Sequence, residues 1–523
     1  MSNLSPLQFL SANRNKFKEM ENQFTIAPSS EGAAELISFA MTDTAGVYFS
    51  SEVENFFMDL ARKTKSLPPD YKTRTGRNKS FLHVMTETLL HGGHTRIVER
   101  WINSASPDQT HSVVLTKQND VDQIPDLLKK FTIEKNGNLH LLQQGSIESK
   151  ANELRDVALS YETVILHHHP YDPIPLMAFS VPEFTRTVIC FNHAGHRFWI
   201  GKNIVDWILD IEKGQQEISY KKRGIKNSTL INMPVAEIAS PPQDIKRLRR
   251  SLGFDAHDKI MVSMASNYKF DPIKDLSFTD TLQQILSADS QVKFIGIGIN
   301  PQNQYWAAIL RKFPDRIRLM GVLCHKDTHT HLKISDLYID SFPMNSWLST
   351  TDAISIGRLP CLVLKTPLGY LPYLEGSSAI CEDTSSLVEK SLFLLASPQE
   401  REKLKDELLF RVKRYCSPNH FQEKIASCVA SAHKKTRNDP SFIDFSSFFP
   451  PNDIYMAQIN MTIRTHKKGI PFLWEKIVHK NAVKKTTLFK LFSFCILAIA
   501  KENKKKSLLF FPKPKILADF SSQ

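Results

Sequence analysis

The chain has seven cysteines but no Cys-x-x-Cys pair and no regular framework spacing. An odd, scattered set argues against a disulfide scaffold and for free thiols in a reducing compartment. Long apolar runs are also missing: the longest, Leu491 to Ala500, is too short to span a bilayer. Met1 to Leu10 has neither a charged start nor an extended apolar stretch, so no secretory signal is visible. These absences together make a cytoplasmic protein the expectation. The basic residues are not interleaved with stacking aromatics in any recognisable module, so nucleic acid is not an expected partner.

What is present is the balance of a soluble globular chain, 41% hydrophobic and 23% charged over 523 residues, enough for two ordinary domains and more. The net charge of +13 favours an anionic partner such as a nucleotide or a lipid headgroup. Much of the excess gathers near the C-terminus, around Lys467–Lys468, Lys484–Lys485 and Lys504–Lys505–Lys506. The segment Leu488 to Ala500 between these lysines suits peripheral contact with the inner face of a membrane, or equally a terminal helix with a solvated basic end.

Residues 1–75 show helical periodicity without chemistry and form an N-terminal extension of unknown role. From Ser80 short apolar runs alternate with helix-length segments: Phe81–Met85, His111–Leu115, Thr163–Leu166 and Thr187–Phe191 read as strands. A Pro-containing stretch, Met233 to Pro242, precedes a second alternating set: Ile260–Met264, Val292–Ile297, Ile317–Met320, Leu337–Ile339 and Cys361–Leu364. The expectation is an α/β protein of two Rossmann-like domains facing across a cleft, residues 76–236 and 255–440, with a basic extension at 441–523. In such sheets ligands lie beyond the carboxyl ends of the strands.

Several candidate groups fall at strand ends. Lys269, in Asn267–Tyr268–Lys269–Phe270–Asp271–Pro272, places an ammonium where it can neutralise a departing diphosphate, unless it is an ordinary solvated lysine. Ser349, Thr350 and Asp352 follow Asn345 at a helix start. Hydroxyls and first-turn amides suit phosphate oxygens and the carboxylate suits ribose hydroxyls; an ordinary helix with Ser349 or Thr350 as its N-cap is the alternative. Gly92 and Gly93 form a turn that lets backbone approach a ligand closely. The histidines in His167–His168–His169 and in Asn192–His193–Ala194–Gly195–His196 should line the cleft. His193 is the first candidate for general base, with His94 in reserve, and loop-bound strand-end histidines are the alternative. The histidines lack a helical His-Glu-x-x-His context, so no metal is expected. Asp120–Val121–Asp122 reads as a solvated loop.

The segments around Lys269 and from Asn345 to Pro360 resemble the donor half of GT-B glycosyltransferases, and among them the family of O-GlcNAc transferase and the bacterial protein N-glycosyltransferases. Asn345, Asp352, Gly357 and Pro360 keep that family's offsets, and Ser349 keeps a hydroxyl, but Trp347 and Leu348 stand where it has His and Thr. The resemblance implies transfer of a sugar from a nucleotide-sugar donor, with inversion and without a metal or other cofactor. It implies donor-phosphate contact by Lys269. The donor it implies is UDP-linked, although His331 stands where the family has an arginine that helps to hold uracil. The acceptor stays open between protein, glycan and lipid-linked saccharide. A non-catalytic nucleotide-binding protein, favoured by Trp347 and Leu348, and a metal-dependent hydrolase built on the histidines are the competing readings.

Overall fold

The computed structural model describes residues 5–64, 79–90, 93–118, 121–235, 245–273, 275–432 and 455–457. Three helices come first: α1 (Pro6–Ile26), α2 (Ser30–Thr42) and α3 (Ser51–Arg62). The first alternating set is β1 (Lys79–Met85), α4 (Gly93–Ser104), β2 (Gln109–Leu115), α5 (Asp126–Glu134), β3 (Leu139–Leu141) and α6 (Ile147–Ala158). It continues through β4 (Thr163–His167), α7 (Pro173–Phe179), β5 (Thr187–Phe191), β6 (Trp207–Asp210), α8 (Lys213–Lys221) and β7 (Ser228–Leu230).

The second set opens with α9 (Ile245–Ser251), β8 (Lys259–Met264), α10 (Phe278–Ala288), β9 (Val292–Ile297), α11 (Ala307–Lys312) and β10 (Ile317–Gly321). Then come α12 (His325–Lys333), β11 (Leu337–Ile339), α13 (Trp347–Ser355), β12 (Cys361–Leu364) and β13 (Ile380–Cys381). Helices α14 (Thr384–Ala396), α15 (Pro398–Tyr415) and α16 (Pro418–Ala432) close it.

The sheets are parallel, with strand orders β3-β2-β1-β4-β5-β6-β7 and β10-β9-β8-β11-β12-β13. Their central strands are buried on both faces because helices cover both, and Thr163–His167 is buried throughout. Each order reverses once, between β1 and β4 and between β8 and β11, and a crevice opens at the carboxyl ends of such a pair. The expected strands are all present. The short β3, β6, β7 and β13 extend the sheets beyond them.

Local chemistry fixes the helix starts. Asp172 caps α7 ahead of Pro173, and Asp383 and Ser386 cap α14 reciprocally. Helix α16 crosses back to the first sheet, where Phe421 meets Trp101 edge-on at 5.2 Å and Gln422 donates to Ser104 at 3.2 Å.

The N-terminal helices pack on the first sheet's helices. Glu54 of α3 accepts the backbone amides of Gly201, Lys202 and Asn203 at 2.7, 2.8 and 2.9 Å. The N-terminal extension therefore holds the loop that follows β5. Among the described residues no helix is long and apolar enough to cross a membrane. The basic segment Leu488 to Ala500 lies outside the described residues, as do Gly92 and Asp120.

Candidate functional site

Both topological switch points carry candidate residues. After β8 the chain makes a single tight turn, Asn267–Phe270, anchored by buried Phe270 against Phe278 and Trp306. Gly298, at φ +81°, lets the exit of β9 lie against this loop; a Cβ there would come within 2.5 Å of the Ala265 carbonyl. Lys269 is thereby turned toward β11, and its Nζ donates to the Asn345 carbonyl at 2.7 Å. Burial pulls its pKa down, while Asp340 and Glu212 nearby favour the charged form.

Asp340 organises the exit of β11. Its carboxylate accepts the amides of Ser341 (2.8 Å) and Ser346 (3.1 and 3.2 Å) and the Asn345 side-chain amide (3.2 Å). Burial raises its pKa, and these donors and Lys269 oppose the rise. With the Ser346 amide held, Ser346 becomes the N-cap and α13 begins at Trp347. The first-turn amides have no acceptor within the helix, and the carbonyl that the Lys269 ammonium grips lies two residues before the helix begins. An ammonium and a helix N-terminus converging on one point are suited to bind a diphosphate.

The hydroxyls are not equivalent. Ser349 is half-buried and within 3.0 Å of the Ser346 hydroxyl. Thr350 is buried in the helix and donates back to the Ser346 carbonyl at 3.4 Å, so it is turned away from the helix mouth. Asp352 faces the first domain, where Arg100 of α4 donates to it at 2.5 Å. Arg96, one turn earlier, meets His325 at 2.8 Å. His331 is buried on α12, its Nδ1 on the Asp327 carbonyl at 2.7 Å and its Nε2 without a hydrogen-bond partner.

From the first domain, Gly93 begins α4 directly opposite α13; a Cβ there would lie 3.5 Å from Leu348 Cδ1. His94 sets its Nε2 on the His167 carbonyl, and its ring centroid is 4.0 Å from that of His193. Burial depresses both imidazoles, His94 to about 3, so both are neutral at physiological pH. Behind His193 stands a row of hydrogen-bonded rings. His193 meets His167 at 2.9 Å, His167 meets His83 at 3.1 Å, and His83 meets His111 at 2.9 Å. Among the described residues no three metal-ligating side chains converge on one point.

The sequence reading missed Glu212, at the end of β6. It is buried, its Oε1 has no hydrogen-bond partner, and its Oε2 lies 3.9 Å from where a Cβ on Gly369 would be. Burial drives its pKa well above the usual range, against the pull of Lys269. It also missed Arg100, His83 and His111, which read as ordinary members of a helix or of buried strands.

No family model and no curated protein sequence matches this chain. Solved structures do. HepE of Anabaena, in complex with UDP and glucose, aligns at 14% identity over 67% of this chain and 99% of its own, with TM-score 0.53. A glycosyltransferase from Rickettsia africae aligns at 12% identity over 69% and 100%, also with TM-score 0.53. A mutant of the Thermobaculum terrenum O-GlcNAc transferase covers 81% of this chain and 82% of its own at 11% identity, with TM-score 0.48. The fold is that of the GT-B glycosyltransferases, two Rossmann-like domains, as the sequence led one to expect.

Proposed function

We propose that this protein is a glycosyltransferase that takes a sugar from a nucleoside diphosphate donor, UDP-linked, and passes it to an acceptor hydroxyl or amide. The observation that carries this is the meeting of the Lys269 ammonium with the first turn of α13 through the Asn345 carbonyl. That spot neutralises a diphosphate as the glycosidic bond breaks, which is where stabilisation most lowers the barrier. HepE, with the same fold, binds UDP and glucose.

In this reading Lys269 and the amides near Ser349 hold the diphosphate, so the transfer needs no metal to steady the leaving group. His331, whose buried Nε2 has no hydrogen-bond partner, would accept the uracil N3–H. His193, with His94 beside it, takes the acceptor proton. Asp352 accepts from the ribose hydroxyls, for which Arg100 must share or release it.

Calorimetric titration with UDP, ADP, GDP and UDP-sugars, on wild type and on Asp352→Ala, tests the donor site. Selective binding of the uridine ligands, weakened at least tenfold by the substitution, is the expected result. A flat titration for every nucleotide would overturn it. The apolar Leu348, placed where its Cδ1 would meet a Cβ on Gly93 at 3.5 Å, favours a second reading, a protein that binds the nucleotide without transfer. Binding of UDP-sugar with neither hydrolysis nor transfer would establish that one.

A further inference from the structure

We propose that the imidazoles of His111, His83 and His167 form a one-way hydrogen-bond chain that locks His193 in the tautomer whose Nδ1 carries a lone pair facing the cleft. They are positioning residues for the proton acceptor. The inference rests on the glycosyltransferase reading for its purpose, though not for its geometry.

The row is written in the strand register. His111 of β2 pairs with Phe81 of β1, and His83 lies two residues further along β1. His83 pairs with Ile165 of β4, and His167 lies two residues beyond. On the next strand the position level with His167 is Phe191, since Leu166 pairs with Cys190, and His193 is again two residues beyond. Side chains two apart share a face of a strand, so His111, His83 and His167 run diagonally over one face of the sheet, and His193 continues the row from the turn that follows β5. The diagonal climbs from the buried middle of β2 to the carboxyl edge, where ligands of such sheets bind.

Its polarity follows from its far end. Gln109 Oε1 accepts the Ser106 backbone N–H at 3.2 Å, which fixes that atom as the amide oxygen. The same oxygen faces His111 Nε2 at 3.4 Å. An oxygen of this kind only accepts, so His111 carries its proton on Nε2 and its Nδ1 must accept from His83 Nε2–H. The order then propagates: His83 Nδ1 accepts from His167 Nε2–H, and His167 Nδ1 accepts from His193 Nε2–H. A neutral ring has one N–H, and burial keeps all four neutral, so His193 is left with a bare Nδ1.

The chain orients and does not conduct, because the amide oxygen that ends it cannot keep a proton. In transfer the acceptor O–H or N–H proton passes to His193 Nδ1 as the acceptor atom bonds to the sugar carbon. The bond from that carbon to the diphosphate breaks, its electron pair leaves with the phosphate, and the proton later returns to solvent from the cleft side. His94 is a built-in comparison. Its Nε2 is held by a backbone carbonyl and not by the chain, so its tautomer is independent of Gln109.

The test is tautomer assignment by nitrogen NMR on the full chain with 15N-labelled histidine, with the His193 and His94 signals identified by single His→Gln variants. Wild type should show His193 protonated at Nε2 alone. Gln109→Leu removes the terminal acceptor and should give both tautomers at His193, leave His94 unchanged, and lower kcat for UDP-sugar turnover with unchanged UDP affinity. Should that variant not fold, His111→Phe, which preserves the stacking on Phe81, cuts the chain at the same end. A wild-type His193 protonated at Nδ1, or an unchanged His193 in the variant, overturns the proposal. The wild-type assignment is made without ligand, so a failed UDP titration leaves it readable: it would remove the function and not the chain.

Discussion

At the scale of single residues, the donor site depends on charges that neighbours have already placed. Lys269 donates to a backbone carbonyl and lies between Asp340 and Glu212, so its ammonium is fixed before any ligand arrives. A fixed charge costs little reorganisation when the leaving group develops its own. Lys269→Ala should therefore lower kcat by about 10²–10³ with a much smaller change in UDP affinity, measured by steady-state kinetics beside calorimetry. Equal turnover in the variant would take Lys269 out of the chemistry. This lysine was legible in the sequence because its flanking motif is distinctive. Glu212 was not: a glutamate after a short strand looks solvated until Gly369 and Lys269 of the other domain close over it. His83 and His111 were hidden for a related reason, since inside an apolar run a histidine looks like one more strand residue until the register is known.

Among the elements, α13 shows what spacing alone leaves open. The sequence offered Ser349 or Thr350 as the cap, whereas the helix starts three residues earlier, with Ser346 as its N-cap. That choice belongs to Asp340, which binds the Ser346 amide and so leaves Thr350 a turn inside the helix. Helix α3 makes a similar attachment elsewhere through Glu54. Burial raises the Glu54 pKa from 4.5 to about 7, against the three amides that favour its charge. The folded state then holds a proton that the unfolded chain releases between those values. Its contribution to stability is complete below pH 4.5 and is lost as the pH climbs through 7. Glu54→Gln keeps the neutral form at every pH. From pH 5 to 8 its stability should rise relative to wild type, by at most about 3 kcal/mol at ~1.4 kcal/mol per pKa unit. Denaturant midpoints across that range measure the difference, and a constant gap would show that Glu54 stays ionised when folded.

For the whole molecule, alternation of apolar runs was enough to give two parallel sheets, because strands buried on both faces are unambiguous. The edges were less legible. β3 and β7 have three residues each and lack a fully buried face, so nothing in their composition separates them from loop. A helix late in the chain joins the halves: α16, the last described helix of the second set, lies on α4 and β5 of the first, with Phe421 buried against Trp101. Phe421→Ala removes that ring from a packed site at a cost of about 3–5 kcal/mol. Because the ring lies where the apolar cluster of the second sheet runs on into the first, the loss should weaken the cooperation of the two sheets more than the packing of either. Scanning calorimetry on the wild type should show one transition, and on the variant two, the lower one displaced. A single transition that merely shifts would place the coupling elsewhere, with the Arg100–Asp352 pair the next contact to cut.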